Sequence, residues 1–147
     1  MVTFDPPPTL WTWTGLDAAD WSVGTNWDQG SVPNDSGKYV RIPSPGTGGP
    51  QLTAGITVGR LTIDTGRSVD LAGFGMTVSE TTALENQGTL YFSGGTDSIT
   101  LMDTDSGTVT YRTTNAAIAE FGATDYYNLS IDGVAANLTS DITVAGD

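Results

Sequence analysis

The run ITVGRLTI, residues 56–63, followed closely by SVDLAG (68–73) and GMTVSE (75–80), decides the fold class. In each run apolar and polar residues alternate with period two. Successive side chains of an extended chain leave opposite faces at that period, so each run reads as a strand with one buried and one solvated face. The texture continues in GTLYF (88–92), DSITLM (97–102), GTVTYR (107–112), YNLSI (127–131) and DITVA (141–145), with Gly, Asn and Asp at the turns between them. No stretch carries a sustained helical period. AAIAEF (116–121) is the one candidate for a single helical turn.

Composition points the same way. Charged residues make up 15% of the chain, against roughly 25% in an average domain, while Gly supplies 19 of 147 positions and Thr recurs throughout. Thr is β-branched and fits a pleated surface better than a helix, and Gly opens the positive φ angles of tight turns. The expected class is all-β.

Short alternating strands with frequent turns suit a β-sandwich as well as a solenoid. The choice rests on self-similarity. An apolar-Thr-apolar triplet returns as ITV, LTI, MTV, ITL, VTY and ITV, and weak repetition on a period of about 20 residues marks coils stacked on their neighbours. We therefore expect a right-handed parallel β-helix, with a β-sandwich as the alternative. The chain divides by composition into residues 1–50, which hold all seven prolines and all four tryptophans, and residues 51–147, which hold the alternating runs. The first part reads as an aromatic N-terminal cap and the second as solenoid coils, one structural domain in all.

Charge and missing residue types exclude much chemistry. Seventeen acidic residues against five basic ones give a formal charge of −12, which repels nucleic acid and anionic membrane surfaces. With no Cys and no His there are no disulfides, no thiol chemistry, no zinc site of the usual kind and no imidazole base. The chain contains no apolar run of membrane-spanning length, and MVTFDPPPTL lacks the basic start and apolar centre of a signal peptide. Direct membrane insertion is not expected, and an exported protein would carry its signal and anchor outside this segment.

The opening WTWTGLDAADWSVGTNWDQGSVPNDSGKYVRIP resembles the cap of large bacterial secreted and cell-surface β-helix proteins of the adhesin type, through Asn26-Trp27, the turn Gly30 to Pro33, and Ile42-Pro43. ITVGRLTIDTG, ENQGTLYFSGG and YYNLSIDGVAANLTSDITVAGD resemble their coils. The family's acidic pair before the cap strand is replaced here by NDSGKYV (34–40). The resemblance implies an extracellular or cell-surface location and a non-enzymatic stalk or binding surface, with a glycan or a host or neighbouring cell as partner. Its alternatives are a carbohydrate-binding accessory module of a polysaccharide-degrading protein and a self-assembling filament or surface-layer component. A further strand is expected where the chain stops, so an open C-terminal coil is a candidate surface for self-association.

Three residues are candidates for stacking on sugar rings: Trp21, Trp27 and Tyr126. For the tryptophans, packing over the first coil is the competing and simpler reading, because terminal repeats of a solenoid must be covered. Asp103 and Asp105, in MDTDSG, resemble alternating calcium ligands, but the acidic residue that closes a calcium loop is missing, and a solvated acidic turn is the competing reading. Calcium is the only cofactor the sequence leaves open. Lys38, Arg41, Arg60, Arg67 and Arg112 are the whole basic supply. Arg60 and Arg67 are expected near Asp64 and Asp70 in salt bridges between coils. No catalytic constellation is apparent.

Overall fold

The computed structural model describes residues 8–113, 116–133, 136–138 and 140–146. It is a parallel β-solenoid of about four turns. Its first sheet stacks β1 (Thr9–Thr12), β2 (Asp35–Ile42) and β3 (Ile56–Ile63). The next coil divides its pairing with β3 between β5 (Gly75–Val78) and β6 (Leu84–Asn86), and β8 (Ser98–Ile99) follows on β5. The second sheet stacks β4 (Ser68–Asp70), β7 (Thr89–Phe92), β9 (Thr108–Tyr111) and β11 (Asn128–Ile131). A short third sheet pairs β10 (Ala116–Ala117) with β12 (Ala136–Asn137). Among the described residues every strand pair is parallel, and Trp13 and Trp27 of the cap form an isolated antiparallel bridge. A sandwich is built from antiparallel sheets, so that alternative is set aside.

Register explains why the period-two runs take this form. Trp11, Val40, Leu61 and Leu84 lie opposite one another on successive strands, as do Ile56, Met76 and Ile99, and on the second sheet Val69, Leu90 and Val109. All are buried in one continuous hydrophobic core that runs from the cap tryptophans to Tyr126. Each buried Val, Leu or Ile contributes about 1.5–3 kcal/mol relative to exposure. Slipping any strand by one residue would turn its whole ladder into solvent, which holds the register.

At the corners the backbone leaves the sheet, and side chains on neighbouring coils accept its N–H groups. Asn34 Oδ1 accepts from Thr57 N at 2.8 Å, Asp97 Oδ1 from Gly73 N at 2.7 Å, Thr100 Oγ1 from Val78 N at 2.8 Å and Asp103 Oδ2 from Asn86 N at 2.6 Å. Unpaired buried N–H groups cost about 1–3 kcal/mol each, so these oxygens replace the missing ladder carbonyls. Asn86 is itself buried at an inward position after Ile42 and Ile63, with its amide donating to Thr108 O and accepting from Gly88 N, both at 3.2 Å. Gly88 follows because a Cβ there would collide with the carbonyl oxygen of Arg67 on the coil beneath.

The sequence expectations fail in particular places. DWSVGTNW (20–27), which reads from the sequence as a short β segment, forms no strand; Gly24–Asn26 is a short 3-10 turn. AAIAEF is not helical, because Ala116–Ala117 pairs with the next coil instead. DITVA contributes only a single bridge, Val144 to Tyr126. The strand Leu84–Asn86 was not expected, since three residues are too few to display an alternation.

Candidate functional site

The cap is built around Asn26-Trp27. Asn26 is fully buried: its amide donates to Asp17 O (2.7 Å) and Asp20 O (2.9 Å), and its carbonyl oxygen accepts from Asp17 N (2.5 Å). This gathers the loop and places Trp21 and Trp27 edge to face with ring centroids 4.8 Å apart, while Trp13 meets Trp27 at 5.0 Å. Three of the four indole N–H groups are used internally. Trp27 donates to Trp21 O at 2.9 Å, Trp21 to Pro33 O at 3.2 Å and Trp11 to Ser31 O at 3.1 Å. The last two acceptors belong to the turn Gly30 to Pro33, where Gly30 has a φ of +66°. That left-handed conformation favours glycine and aims the following carbonyls at the indoles.

The three stacking candidates are therefore corrected. Trp21 has 0% of its surface exposed, Trp27 2% and Tyr126 0%. An aromatic ring with no open face offers a sugar no contact, and the packing of an end coil explains the burial. Tyr126 belongs to a circuit at the other end of the core. Its hydroxyl donates to Ala119 O (2.6 Å) and meets the Tyr111 hydroxyl (2.8 Å), which accepts from Ala119 N (3.2 Å). Burial pushes both phenols above their ordinary range, so they remain neutral donors.

The carboxylates of Asp103 and Asp105 lie close together, but they do not make a cation site. Asp103 accepts from Asn86 N, from Asp105 N at 3.0 Å and from the Ser106 hydroxyl at 2.9 Å. Burial pushes its carboxyl up, and these donors more than offset that, leaving it below the usual range. Asp105 moves up, through a hydrogen bond to Asp103 and then the repulsion of that charge. Calcium takes about six to eight oxygen ligands, and among the described residues no cluster of three acidic side chains is placed to hold a metal. These two residues do not fit calcium; Asp103 serves the backbone of the coil beside it.

A shallow surface groove of about 580 Å³ lies on the outer face of the first sheet. Its side chains come from alternate, outward positions on three successive strands: Tyr39 and Arg41 of β2, Arg60 and Thr62 of β3, and Glu85 of β6, with Asp64 and Gln87 just beyond the last two strands. The Arg41 fork grips Asp64 through Nε (3.1 Å) and Nη2 (2.9 Å), and Ser44 N adds a third bond at 2.9 Å. The Arg41 hydrogen bond holds the Asp64 carboxyl below the usual range. Arg60 lies over the Tyr39 ring at 5.5 Å and pairs with Glu85 at 3.8 Å, while the Tyr39 hydroxyl donates to Glu80.

The ion pairs differ from those expected. Arg60 pairs with Glu85 and Asp64 with Arg41; Arg67 instead donates to Thr47 O (3.0 Å), and Asp70 accepts from Ala72 N and the Ser93 hydroxyl. A second groove, of about 410 Å³, lies over the second sheet, where the Arg112 guanidinium stacks on Tyr91 at 3.3 Å. Tyr39, Arg41, Glu85 and Gln87 escaped sequence reasoning as a group. The signal available was their shared outward parity on consecutive coils.

The fold and this surface define a class, the parallel β-solenoid with a sealed aromatic end. No protein-family model, no curated protein and no solved structure matches the chain.

Proposed function

We propose that this chain is a non-enzymatic extracellular surface module of the adhesin type, a stiff solenoid whose outer faces make contact with a glycan or a neighbouring cell. The observation that carries the reading is the complete enclosure of the cap tryptophans. With one end sealed and the core continuous, the surface available for recognition is the row of outward side chains along the coils. The absence of His and Cys from the chain supports the non-enzymatic part.

Fluorescent beads coated with the folded chain are the test, applied to cell monolayers and immobilised polysaccharides. Adhesion above that of beads carrying heat-unfolded chain is expected, with no cleavage products released from neutral or acidic polysaccharides. Polysaccharide turnover, or adhesion equal to the unfolded control, would overturn the reading.

Self-association is a second reading, favoured by exposed apolar side chains on the last coils: Ile131 at 45%, Leu138 at 61% and Val144 at 42%. Light scattering at rising concentration should then show dimers or larger species, and a strict monomer at millimolar concentration removes it.

A further inference from the structure

We infer that the groove on the outer face of the first sheet is a binding site for a neutral saccharide. The inference rests on the surface-module reading and gives it a ligand class and a location. Its starting point is geometry. Neighbouring coils are about 4.8 Å apart, and alternate residues of a strand are about 6.6 Å apart. Three coils by two outward positions therefore present a polar patch about 10 Å across, the scale of one or two sugar rings.

The second step is charge. Arg41 is committed to Asp64 in a two-bonded fork, and Arg60 is paired with Glu85. Two guanidiniums and two carboxylates cancel, Glu80 stands beside Tyr39 as a third acid, and the chain as a whole carries −12. An anionic ligand meets no net attraction here. A cation finds Asp64 already neutralised by Arg41 and Glu85 already facing Arg60. A ligand with dipoles and no net charge fits this surface.

The third step is what remains unused. The Arg60–Glu85 contact, at 3.8 Å, is an ion pair beyond hydrogen-bond reach, and the Arg60 side chain is partly exposed, so its guanidinium end is open to a ligand acceptor. Glu85 is exposed, and among the described residues its hydrogen bond is a long one from the Thr62 hydroxyl, at 3.3 Å. Gln87, also exposed, adds an amide that both donates and accepts. Adjacent hydroxyls of a sugar can donate to Glu85 while accepting from Arg60, which completes both groups at once. Leu10, at the rim and half exposed, offers an apolar wall for the C–H face of the ring.

The test is an array of neutral and acidic glycans, followed by titration of the best neutral binder with NMR detection. Binding of a neutral saccharide is expected, shifting amides of Tyr39–Arg41, Arg60–Asp64 and Glu85–Gln87. Arg60→Ala and Gln87→Ala should each weaken it by about tenfold or more, and Arg112→Ala, over the second sheet, should leave it unchanged. Three results overturn the inference: no neutral glycan bound at millimolar concentration, binding restricted to acidic glycans, or full affinity in both groove variants. If beads still adhere to cells when those variants are used, the groove assignment falls and the surface-module reading stands.

Discussion

At the first coil the covering groups are indoles: Trp13, Trp21 and Trp27 meet edge to face, and the indole N–H groups of Trp21 and Trp27 end on carbonyls inside the cap. Towards the last coils the aromatic contacts are Phe92 to Tyr111, Tyr111 to Tyr126 and Phe121 to Tyr126, and the polar atoms are two hydroxyls and the Asp125 carboxylate. The loop-gathering residue differs too, being neutral Asn26 at one end and ionised Asp125 at the other. One end is closed by large rings with uncharged partners. The other is closed by smaller rings and a titratable group, and it leaves Ile131, Leu138 and Val144 exposed. The difference lies in how the rings are held, since each end also leaves apolar side chains in solvent, Leu10 and Leu16 in the cap as well as those of the last coils.

The largest effect should come from opening the sealed end. Trp21→Ala removes a fully buried indole that packs on Trp27 and whose N–H holds Pro33 O. The expected loss is about 3–5 kcal/mol, a large share of the roughly 5–15 kcal/mol that holds an ordinary domain together. Urea unfolding followed by circular dichroism measures it. A loss below about 1 kcal/mol would show that the cap is an appendage to the core and not its cover.

Tyr126→Phe asks the same question of the other end with the ring retained. The variant leaves the Ala119 carbonyl without its 2.6 Å donor and the Tyr111 hydroxyl without its acceptor. Buried groups left unpaired cost about 1–3 kcal/mol. An unchanged unfolding midpoint would mean that water enters this end freely, which the buried position of Tyr126 argues against.

Acid should distinguish the ends without mutation. The N–H groups of Thr143 (2.9 Å), Phe121 (2.6 Å) and Gly122 (3.3 Å) hold the Asp125 carboxyl below its usual range and outweigh the opposing effect of burial. Because the folded pKa is depressed, its stabilisation is complete above the unfolded value of about 3.9 and is lost as pH falls through the folded value. Asn26 does not titrate in this range. Amide resonances of Phe121 and Thr143 should therefore shift and broaden below about pH 4, while the indole N–H resonances of Trp21 and Trp27, which end on backbone carbonyls, hold. Simultaneous loss at both ends would make the solenoid a single cooperative unit in acid.

Much of this architecture is visible in the chain, and the limits are physical. The run ITVGRLTI coincides with β3 because apolar residues take the inward positions on both sides of Gly59, Ile56 and Val58 before it and Leu61 and Ile63 after it, with the alternation changing phase between the two halves. The cap tryptophans could be assigned to cover because an end coil demands it. The groove could not be assembled, because Tyr39, Arg60 and Glu85 meet only through the registers of three strands, and hydrogen bonds between coils join residues 17 apart at one place and 24 apart at another. That variation defeats a fixed period. The role of Asp103 was hidden for a related reason: its principal partner, Asn86 N, lies on another coil, so MDTDSG shows the acid and not the donor it serves.

The smallest effect should be at Ile131, and it bears directly on what the exposed end is for. Ile131 follows Phe92 and Tyr111 in the same ladder of the second sheet. The first two are almost fully buried and Ile131 is not. Removing apolar surface that water already touches changes little, so Ile131→Thr should stay within about 0.5 kcal/mol of the parent in dilute solution. The equivalent change one coil earlier, Tyr111→Thr, should cost several-fold more. The contrast holds only while nothing covers β11. If a second copy packs there at higher concentration, Ile131 becomes a buried contact, and the same variant should lower the melting temperature of the concentrated protein while leaving the dilute protein unchanged. Scanning both proteins across a thousandfold range of concentration separates these cases: parallel lines mean an open end, and divergence means an interface.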